Sequence, residues 1–304
     1  MTDAATPQFS VIVPTFDRLE ALDRCLGALA AQDIARERFE VVVVNDGGAV
    51  SPRTVVDRHR HALDVHLFEQ VNAGPAAARN AGAAAARGEY LVFTDDDCLP
   101  EQGWLSALAR SAARDPGLAI GGRVVSLPDH GIYSHASQSL IDFLYSYYNA
   151  PGEHGRFFIT SNLAFPAARF REVGGFDVTF PLAAAEDRDL CDRWREQGGV
   201  IVYDDQAIVR HSHALDLRSF CRQHLNYGRG AYYLHRARER RGVAPIRLET
   251  DRFYSRLVAH PLDQGTGARA AALSALLFTS QVAYLAGYVL ERVMLTRRRA
   301  GAPS

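Results

Sequence analysis

The chain has 304 residues, of which 47% are hydrophobic and 23% are charged, and its formal net charge is -1 at pH 7. These values are typical of a globular protein with a sizeable core, and the lack of a global basic excess argues against a nucleic-acid partner. The N-terminus has no secretion pattern and the four cysteines have no metal-type spacing, so we expect a cytoplasmic protein with reduced thiols.

Apolar runs alternate with helical patterns in the first third of the chain. Strands are predicted for "FSVIVPTF" (9–16), "FEVVVVNDGG" (39–48), "VHLFEQ" (65–70) and "EYLVFTDDD" (89–97). One helix is predicted to begin at Asp17 as its N-cap, and another has Pro75 in its first turn and Gly88 at its end. This alternation predicts an α/β fold with a mainly parallel sheet covered by helices on both faces.

The rest of the chain is less regular. The predicted elements are a strand at 118–125, a loop region with short helix at 126–156, a short helix at 165–177 stopped by two glycines, a helix at 185–199, and a last strand at 200–205. Beyond Asp216 the sequence is helical and basic. We therefore expect an α/β domain at 1–215 and a helical C-terminal region at 216–304.

Three predicted strands end in polar residues, in "PTFDR", "NDGG" and "TDDD". Ligands of open parallel sheets bind outside the carboxyl ends of the strands, so these residues are expected to share one rim. The acids at 95–97 repel one another until a cation joins them, and oxygen ligands suit a hard divalent metal ion. Each acid alone would be an ordinary turn residue.

Five segments occur in an order that resembles family-2 glycosyltransferases with the GT-A fold. They are "VIVPTFDR", "VVVVNDGG", "GPAAARNAGAAAARGEYLVFTDDDCLP", "SNLAFPAARFREVGGFD" and "EDRDLCDRWREQG", and they cover about residues 9–215. The resemblance implies a Rossmann-like, mainly parallel sheet, extended here by C-terminal helices. It also implies transfer of a sugar from a nucleotide-sugar donor to an acceptor hydroxyl, with inversion.

The resemblance also assigns roles on the donor side. Thr15 and Asp17 would line the nucleotide-base pocket, Asp46 would contact the base or ribose, and Arg79 would help to hold the nucleotide. Asp95 and Asp97 would form the D-x-D pair that binds Mg²⁺ or Mn²⁺ and the donor, and Asp96, in the variable central position, would also bind the donor. Arg79 alone would otherwise be read as a surface residue of a helix.

The resemblance assigns further roles to residues between positions 162 and 213, including the catalytic base. Asp187 matches the general base that deprotonates the acceptor hydroxyl, and Glu186 would be its neighbour on the acceptor side. His211 or His213 would complete the metal site, or both would be ordinary polar residues after a strand. Asn162 would lie near the donor sugar or acceptor, or cap a turn.

The donor is expected to be a UDP-sugar, with GDP- and dTDP-sugars as alternatives. The acceptor would be a glycan, a lipid-linked molecule or a secondary metabolite, and we expect bacterial cell-envelope polysaccharide biosynthesis as the setting. Processive relatives carry Q-x-x-R-W, whereas "RQHLNYGRG" (222–230) has Gln223 without a following Arg-Trp pair. Non-processive transfer is therefore expected.

Residues 270–290 carry no charge and are long enough to span a bilayer, and "RRR" follows at 297–299. The arginines and a domain that uses cytosolic nucleotide sugar would lie on one side of a membrane, which argues against a single crossing. Packing on the catalytic domain, a homodimer contact, or association with the cytoplasmic membrane surface remain open. We expect this segment to serve location or assembly and not chemistry.

Two other functions were weighed against the transferase. A sugar-nucleotide nucleotidyltransferase also combines such a sheet with acidic metal sites, but "VPTFDRLEA" lacks the glycine-rich basic loop expected after its first strand. A non-catalytic glycan- or nucleotide-binding scaffold would have lost some of the acids, and every one is present.

Overall fold

A computed structural model describes residues 6–127, 131–149, 155–212, 214–244 and 249–300, with backbone alone for 297–300. His213, one of the two candidate metal-binding histidines, lies outside these residues. The strands in the described ranges are β1 (Phe9–Thr15), β2 (Phe39–Asp46), β3 (Val65–Gln70), β4 (Tyr90–Phe93), β5 (Cys98–Pro100), β6 (Ala119–Ser126), β7 (Leu163–Pro166) and β8 (Ile201–His211).

The helices alternate with these strands and then continue alone at the C-terminal end. They are α1 (Leu19–Ala30), α2 (Arg53–His59), α3 (Pro75–Ala85), α4 (Trp104–Arg114), α5 (Gly131–Tyr148), α6 (Ala167–Val173), α7 (Glu186–Glu196), α8 (Leu217–Arg240), α9 (Asp251–Gln264) and α10 (Ala268–Ala300). The strand and helix predictions of the first third are confirmed to within a few residues.

The strands form one mixed sheet in the order β3-β2-β1-β4-β7-β6-β8-β5. β3, β2, β1 and β4 are parallel, so their carboxyl ends meet at one edge. β7 runs antiparallel to both β4 and β6, while β8 is parallel to β6. The parallel half therefore builds the rim that the sequence predicts, and the antiparallel strands extend the sheet beyond it.

Both faces of the sheet are covered. Val11 and Val13 of β1 join the apolar core under α1, α2 and α4, whereas Ile12 joins the core on the other face, under α3 and α6. This alternation follows from the two-residue period of a strand that is buried on both sides. Trp194 is fully buried in the second core, as expected for a packing residue.

Two local predictions were wrong. Asp17 does not cap α1, because its φ of 52° places it in the left-handed region and the N-cap position falls on Arg18. The segment that looked like a loop region with short helix contains α5, a helix of 18 residues. Its sequence has no simple apolar stripe, because Ser134, Ser137 and Gln138 face a cavity beside Leu140 and Leu144.

The C-terminal helices pack against the α/β part of the molecule. Leu140 and Phe143 of α5, Phe253 and Leu257 of α9, and Leu277 of α10 form one buried apolar cluster. α8 and α10 approach closely at two glycines: a Cβ at Gly228 would lie 1.8 Å from the Tyr284 carbonyl oxygen, and one at Gly287 would lie 1.9 Å from that of Leu225. Only glycine permits this backbone contact.

Candidate active site

The three consecutive acids after β4 are held by Arg79, Thr15 and Arg18. Asp95 accepts a hydrogen bond from Arg79 Nη2 at 2.7 Å. Asp96 is fully buried and accepts from the Thr15 hydroxyl at 2.7 Å and from Arg18 Nε at 3.2 Å. Asp97 accepts from Arg18 Nη1 at 2.7 Å. Two arginines, Arg79 at Asp95 and Arg18 at both Asp96 and Asp97, thus allow three carboxylates to follow one another at a strand end.

The central acid has a structural role that differs from the predicted one. Asp96 does not line either cavity of the site, so the prediction that it binds the donor directly is corrected to one of support. Burial raises the pKa of Asp96 to about 6, although Arg18 and Thr15 act in the opposite direction. Asp96 fixes the Arg18 guanidinium beside Asp97, a contact that the sequence did not reveal.

A cavity of about 620 Å³ opens at the carboxyl ends of the parallel strands, and we call it the strand-tip cavity. Its lining includes Thr15, Arg18, Asp46, Arg79, Asp95, Asp97 and His211, together with Gln223 and Tyr227 of α8. Most of the predicted donor-side residues are therefore brought together at one place. A pocket of this volume accommodates a ligand the size of a nucleotide sugar.

Asp46 and Asp17 hold the loops beside this cavity. Asp46 accepts hydrogen bonds from the backbone N–H groups of Ala73 and Gly74, both at 2.9 Å, and this fixes the entry to α3. Asp17 is exposed, lies outside the residues that line the cavity, and accepts from Val50 N–H at 3.4 Å. The structure thus places Asp46 at the cavity and Asp17 outside its lining, between Phe16 and Arg18, which both line it.

Asp97, Cys98 and His211 form a group whose candidate ligand atoms all lie within 4.8 Å of one another. His211 Nε2 is 3.3 Å from Asp97 Oδ1. Burial and the neighbouring acids raise the pKa of the Cys98 thiol well above its ordinary value, so Cys98 stays protonated and is a poor ligand. The carboxylate and imidazole donors suit Mg²⁺ or Mn²⁺, so the residues present fit such an ion.

Glu186 and Asp187 open α7, where helix N–H groups favour negative charge. Glu186 is buried and its carboxylate lies 3.1 Å from Arg79 Nη1. Burial and the adjacent Asp187 raise the pKa of Glu186 to about 7, against the effect of Arg79. Burial also raises the pKa of Asp187, against the hydrogen bond that its Oδ1 accepts from Arg188 N–H at 2.7 Å.

A second cavity, of about 400 Å³, contains Asp187, and we call it the helix-walled cavity. α5, α8, α9 and α10 supply about half of its lining, including Gln281 and Tyr284 of α10. Part of the segment 270–290 thus lines the candidate site, and its expected role in location or assembly stays a prediction. Arg79, Asp95, His211 and Tyr227 line both cavities, so the two are neighbours.

The prediction that Asn162 contacts the donor or acceptor was also wrong. Asn162 is fully buried and lines neither cavity. Its Oδ1 accepts from Trp104 Nε1, and its Nδ2 donates to the carbonyls of Arg123 and Ala207, each at 2.8 Å. Both of its N–H donors and its carbonyl oxygen thus join α4, β6 and β8.

A family model described as "Glycosyl transferase family 2" matches residues 10–174, slightly more than half of the chain. The matched range contains β1 to β4, the acids at 95–97 and Arg79. The chain belongs to glycosyl transferase family 2. The predicted family and its GT-A fold are thereby confirmed.

Family-2 proteins from several sources resemble this chain. A pre-mycofactocin glycosyltransferase of Mycobacterium tuberculosis is 30% identical over 73% of this chain and 46% of the relative. A validoxylamine A glucosyltransferase of Streptomyces hygroscopicus is 32% identical over 63% of this chain and 52% of the relative. The chain spans about half the length of these curated relatives.

Solved structures share the fold at low identity. The mannosyltransferase PcManGT of Pyrobaculum calidifontis, in complex with GDP-Man and Mn²⁺, superposes with a TM-score of 0.61 and 19% identity. That alignment covers 92% of this family-2 chain and 87% of the other chain, so it includes most of the C-terminal helices as well as the sheet.

Proposed function

We propose that this protein is a non-processive, inverting glycosyltransferase that uses a nucleotide sugar and a divalent metal ion. The observation that carries the proposal is the meeting of the two cavities. The strand-tip cavity contains the acids after β4, the helix-walled cavity contains Asp187, and Arg79 and Asp95 line both. A donor in the first cavity would therefore present its sugar to an acceptor in the second.

The donor would occupy the strand-tip cavity with its diphosphate near Asp95, Asp97 and His211. These three residues would hold Mg²⁺ or Mn²⁺, which would offset charge that builds on the leaving diphosphate. Arg79 is buried and positively charged, and its fork-shaped guanidinium suits phosphate oxygens. A UDP-sugar is the donor we expect first, and GDP- and dTDP-sugars are the alternatives.

Asp187 would act as the general base. A positioned carboxylate accelerates attack by an alcohol by roughly 100- to 10,000-fold. Asp187 lines the helix-walled cavity and not the strand-tip cavity, and there it would take the proton of an acceptor hydroxyl on the face away from the leaving group. Attack from that face, in a single displacement, inverts the anomeric carbon.

The test is nucleotide release. The protein is incubated with UDP-, GDP- and dTDP-glucose and Mn²⁺, and free nucleoside diphosphate is measured with the wild type and with Asp97→Asn. We expect the wild type to release diphosphate from the donor with one of the three nucleobases, and we expect Asp97→Asn to release none. Any glycoside product should show an inverted anomeric centre by NMR. If no sugar nucleotide binds, or if the anomeric configuration is retained, the proposed function is wrong.

We also propose that the protein works at the surface of a membrane that contains anionic lipid. The helix segment Ala268–Thr296 is long and apolar enough to cross a membrane. An 18-residue stretch of it has a mean hydropathy of 1.5, and only 22% of that stretch is buried. Its exposed apolar residues recur every three or four positions and so share one face: Phe278, Val282, Leu285, Val289 and Val293.

The other face of α10 packs against α8. Glu291 is buried and its carboxylate is 2.6 Å from both Arg229 Nε and the Tyr233 hydroxyl. A helix fixed in this way supports contact with a membrane surface and not a crossing, and the arginines at 297–299 complement anionic headgroups. Phe278→Asp with Leu285→Asp should abolish pelleting with phosphatidylglycerol vesicles. Unchanged pelleting, or a stable homodimer through α10 in solution, would contradict this location.

A further inference from the structure

The helix-walled cavity has two chemically different linings. α7, with Glu186 and Asp187, supplies a charged part next to the strand-tip cavity. α5 and α9 supply an apolar part, with Leu140 and Leu144 on the first helix and Phe253 and Leu257 on the second. Leu140, Phe253 and Leu257 belong to one buried apolar cluster, and Leu144 packs on it, so this lining is continuous.

The polar groups of the cavity include atoms that have no hydrogen-bond partner within the described chain. They are Ser161 Oγ, Gln223 Oε1 and His224 Nε2, all buried. Buried polar atoms are usually paired, and each unpaired atom costs free energy unless a ligand or water satisfies it. His224 is 1% exposed and its ring lies against Phe220 at 4.4 Å, so its orientation is fixed by packing.

We infer that the acceptor is an amphipathic alcohol, with hydroxyl groups at one end and an apolar body such as an alkyl chain or aromatic ring, and not a free oligosaccharide. Its hydroxyl end would lie at Asp187 and satisfy Gln223 and His224. Its apolar body would lie against the leucines and Phe253 of α5 and α9. This inference rests on the proposed function, because Asp187 is taken as the base that selects the reacting end.

The volume and lining agree with this class of ligand. A cavity of about 400 Å³ lies in the usual range for small-molecule pockets, which are mostly apolar with a few placed polar groups. An oligosaccharide would present hydroxyl groups on every side, and those facing Leu140, Leu144 and Phe253 would lose their hydrogen bonds to water.

Binding of matched glucosides tests the inference without any transfer reaction. Hexyl β-D-glucoside, methyl β-D-glucoside and cellobiose are titrated into the full-length protein by calorimetry, and UDP with Mn²⁺ is titrated into the same preparation. Each buried methylene contributes roughly a four-fold gain in affinity, so hexyl glucoside should bind at least about 30-fold more tightly than methyl glucoside. Cellobiose should bind no better than methyl glucoside.

Leu144→Ser removes part of the apolar lining at a half-buried position, and Leu262→Ser on α9 is the control, because Leu262 is exposed and outside the cavity. The first variant should lose about four-fold or more of the preference for hexyl glucoside, and the control should lose none. The inference is overturned if hexyl glucoside does not bind, if the two glucosides bind alike, or if cellobiose binds most tightly. The titration with UDP and Mn²⁺ reports on the proposed function independently of these results.

Discussion

Arg79 Nη2 lies 2.7 Å from Asp95 Oδ1, at the boundary between the strand-tip cavity and the helix-walled cavity. The same guanidinium reaches Glu186 with its other terminal nitrogen, at 3.1 Å. One buried cation therefore joins the end of β4 to the start of α7, and it lies where the proposed sugar transfer would occur.

Arg79→Lys should weaken donor binding although it keeps the positive charge. A lysine amine cannot contact two carboxylates in the fixed planar geometry of a guanidinium. We expect about a ten-fold loss of affinity for UDP with Mn²⁺, since one strong charged hydrogen bond contributes about 1.5 to 3 kcal/mol. Arg53→Lys, on the exposed end of α2, is the matched control and should bind as the wild type does. Equal affinities in all three proteins would exclude this role for Arg79.

Asp97→Asn should reduce the metal-dependent affinity for the donor by about ten-fold or more while the protein remains folded. Its carboxylate lies beside His211 and Arg18 at the cavity surface. Asp205→Asn, an exposed substitution on β8, controls for loss of negative charge. Calorimetric titration of Mn²⁺ and UDP measures both effects, and unchanged affinities in Asp97→Asn would refute the assignment of the metal ligands.

Asp187→Asn should impair sugar transfer, whereas Asp189→Asn should impair stability. Asp187→Asn removes the proposed base and should lower transfer by roughly 100-fold or more with donor affinity retained. Asp189 is fully buried between Arg193 at 2.7 Å and Arg241 at 2.6 Å. Its loss leaves two arginines facing a neutral amide, and we expect about 3 to 5 kcal/mol of lost stability. Full activity in folded Asp187→Asn would show that Asp187 only shapes the start of α7.

The stability of the protein should fall as pH rises through neutrality, in part because of Glu186. Burial raises the pKa of Glu186 from 4.5 to about 7 in the folded protein. The folded state therefore binds more protons between these values, so this contribution is fully present below about pH 4.5 and is lost as pH rises through about 7.

Urea unfolding at about pH 5 and about pH 8 measures this contribution, which we expect to be on the order of 2 kcal/mol. In Glu186→Gln, the change in the free energy of unfolding between the two pH values should lack this contribution. Glu172→Gln, at an exposed position of α6, should not. If Glu186→Gln and the wild type lose the same free energy of unfolding between the two pH values, the Glu186 carboxyl group is ionised at both. That result would contradict the raised pKa of Glu186.

Gly287→Ala should destabilise the C-terminal helices and weaken binding in the helix-walled cavity together. The added methyl group would lie 1.9 Å from the Leu225 carbonyl oxygen, so α8 and α10 must move apart. We expect about 1 to 3 kcal/mol of lost stability, as for other overpacked sites. Gly265→Ala is the control because no atom lies within 4 Å of its Cβ position. Thermal unfolding of both variants gives the comparison, and equal midpoints would contradict the tight contact.

The sequence predicted the donor-side rim because that rim depends on local patterns. Apolar runs with polar ends place Thr15, Asp46 and Asp95 at parallel strand tips, and no other information is needed. The partner of the central acid could not be predicted, since the direction of the Arg18 side chain depends on the turn at Asp17 and its positive φ. Asn162 looked like a ligand-binding residue because sequence patterns do not distinguish a buried amide from an exposed one.

The helix-walled cavity lay beyond sequence reasoning for a different reason. Tyr284 and Asp187 line the same cavity, yet they are far apart in the chain and their meeting depends on how α10 packs on α8. α5 was missed because polar residues facing a cavity interrupt its apolar periodicity. Long-range packing of this kind leaves no local pattern in either segment.

The glycine contact between α8 and α10 also bears on how such proteins can diversify. The proposed apolar lining for the acceptor comes from α5 and α9, and neither helix lines the cavity proposed for the donor. Exchange of α9 and α10 between relatives should therefore change which alcohol is glycosylated and leave the choice of nucleotide sugar intact, provided that the incoming α10 carries a glycine opposite Leu225. Two close backbone contacts, at Gly228 and Gly287, thus set the compatibility rule for chimaeric enzymes built on this fold.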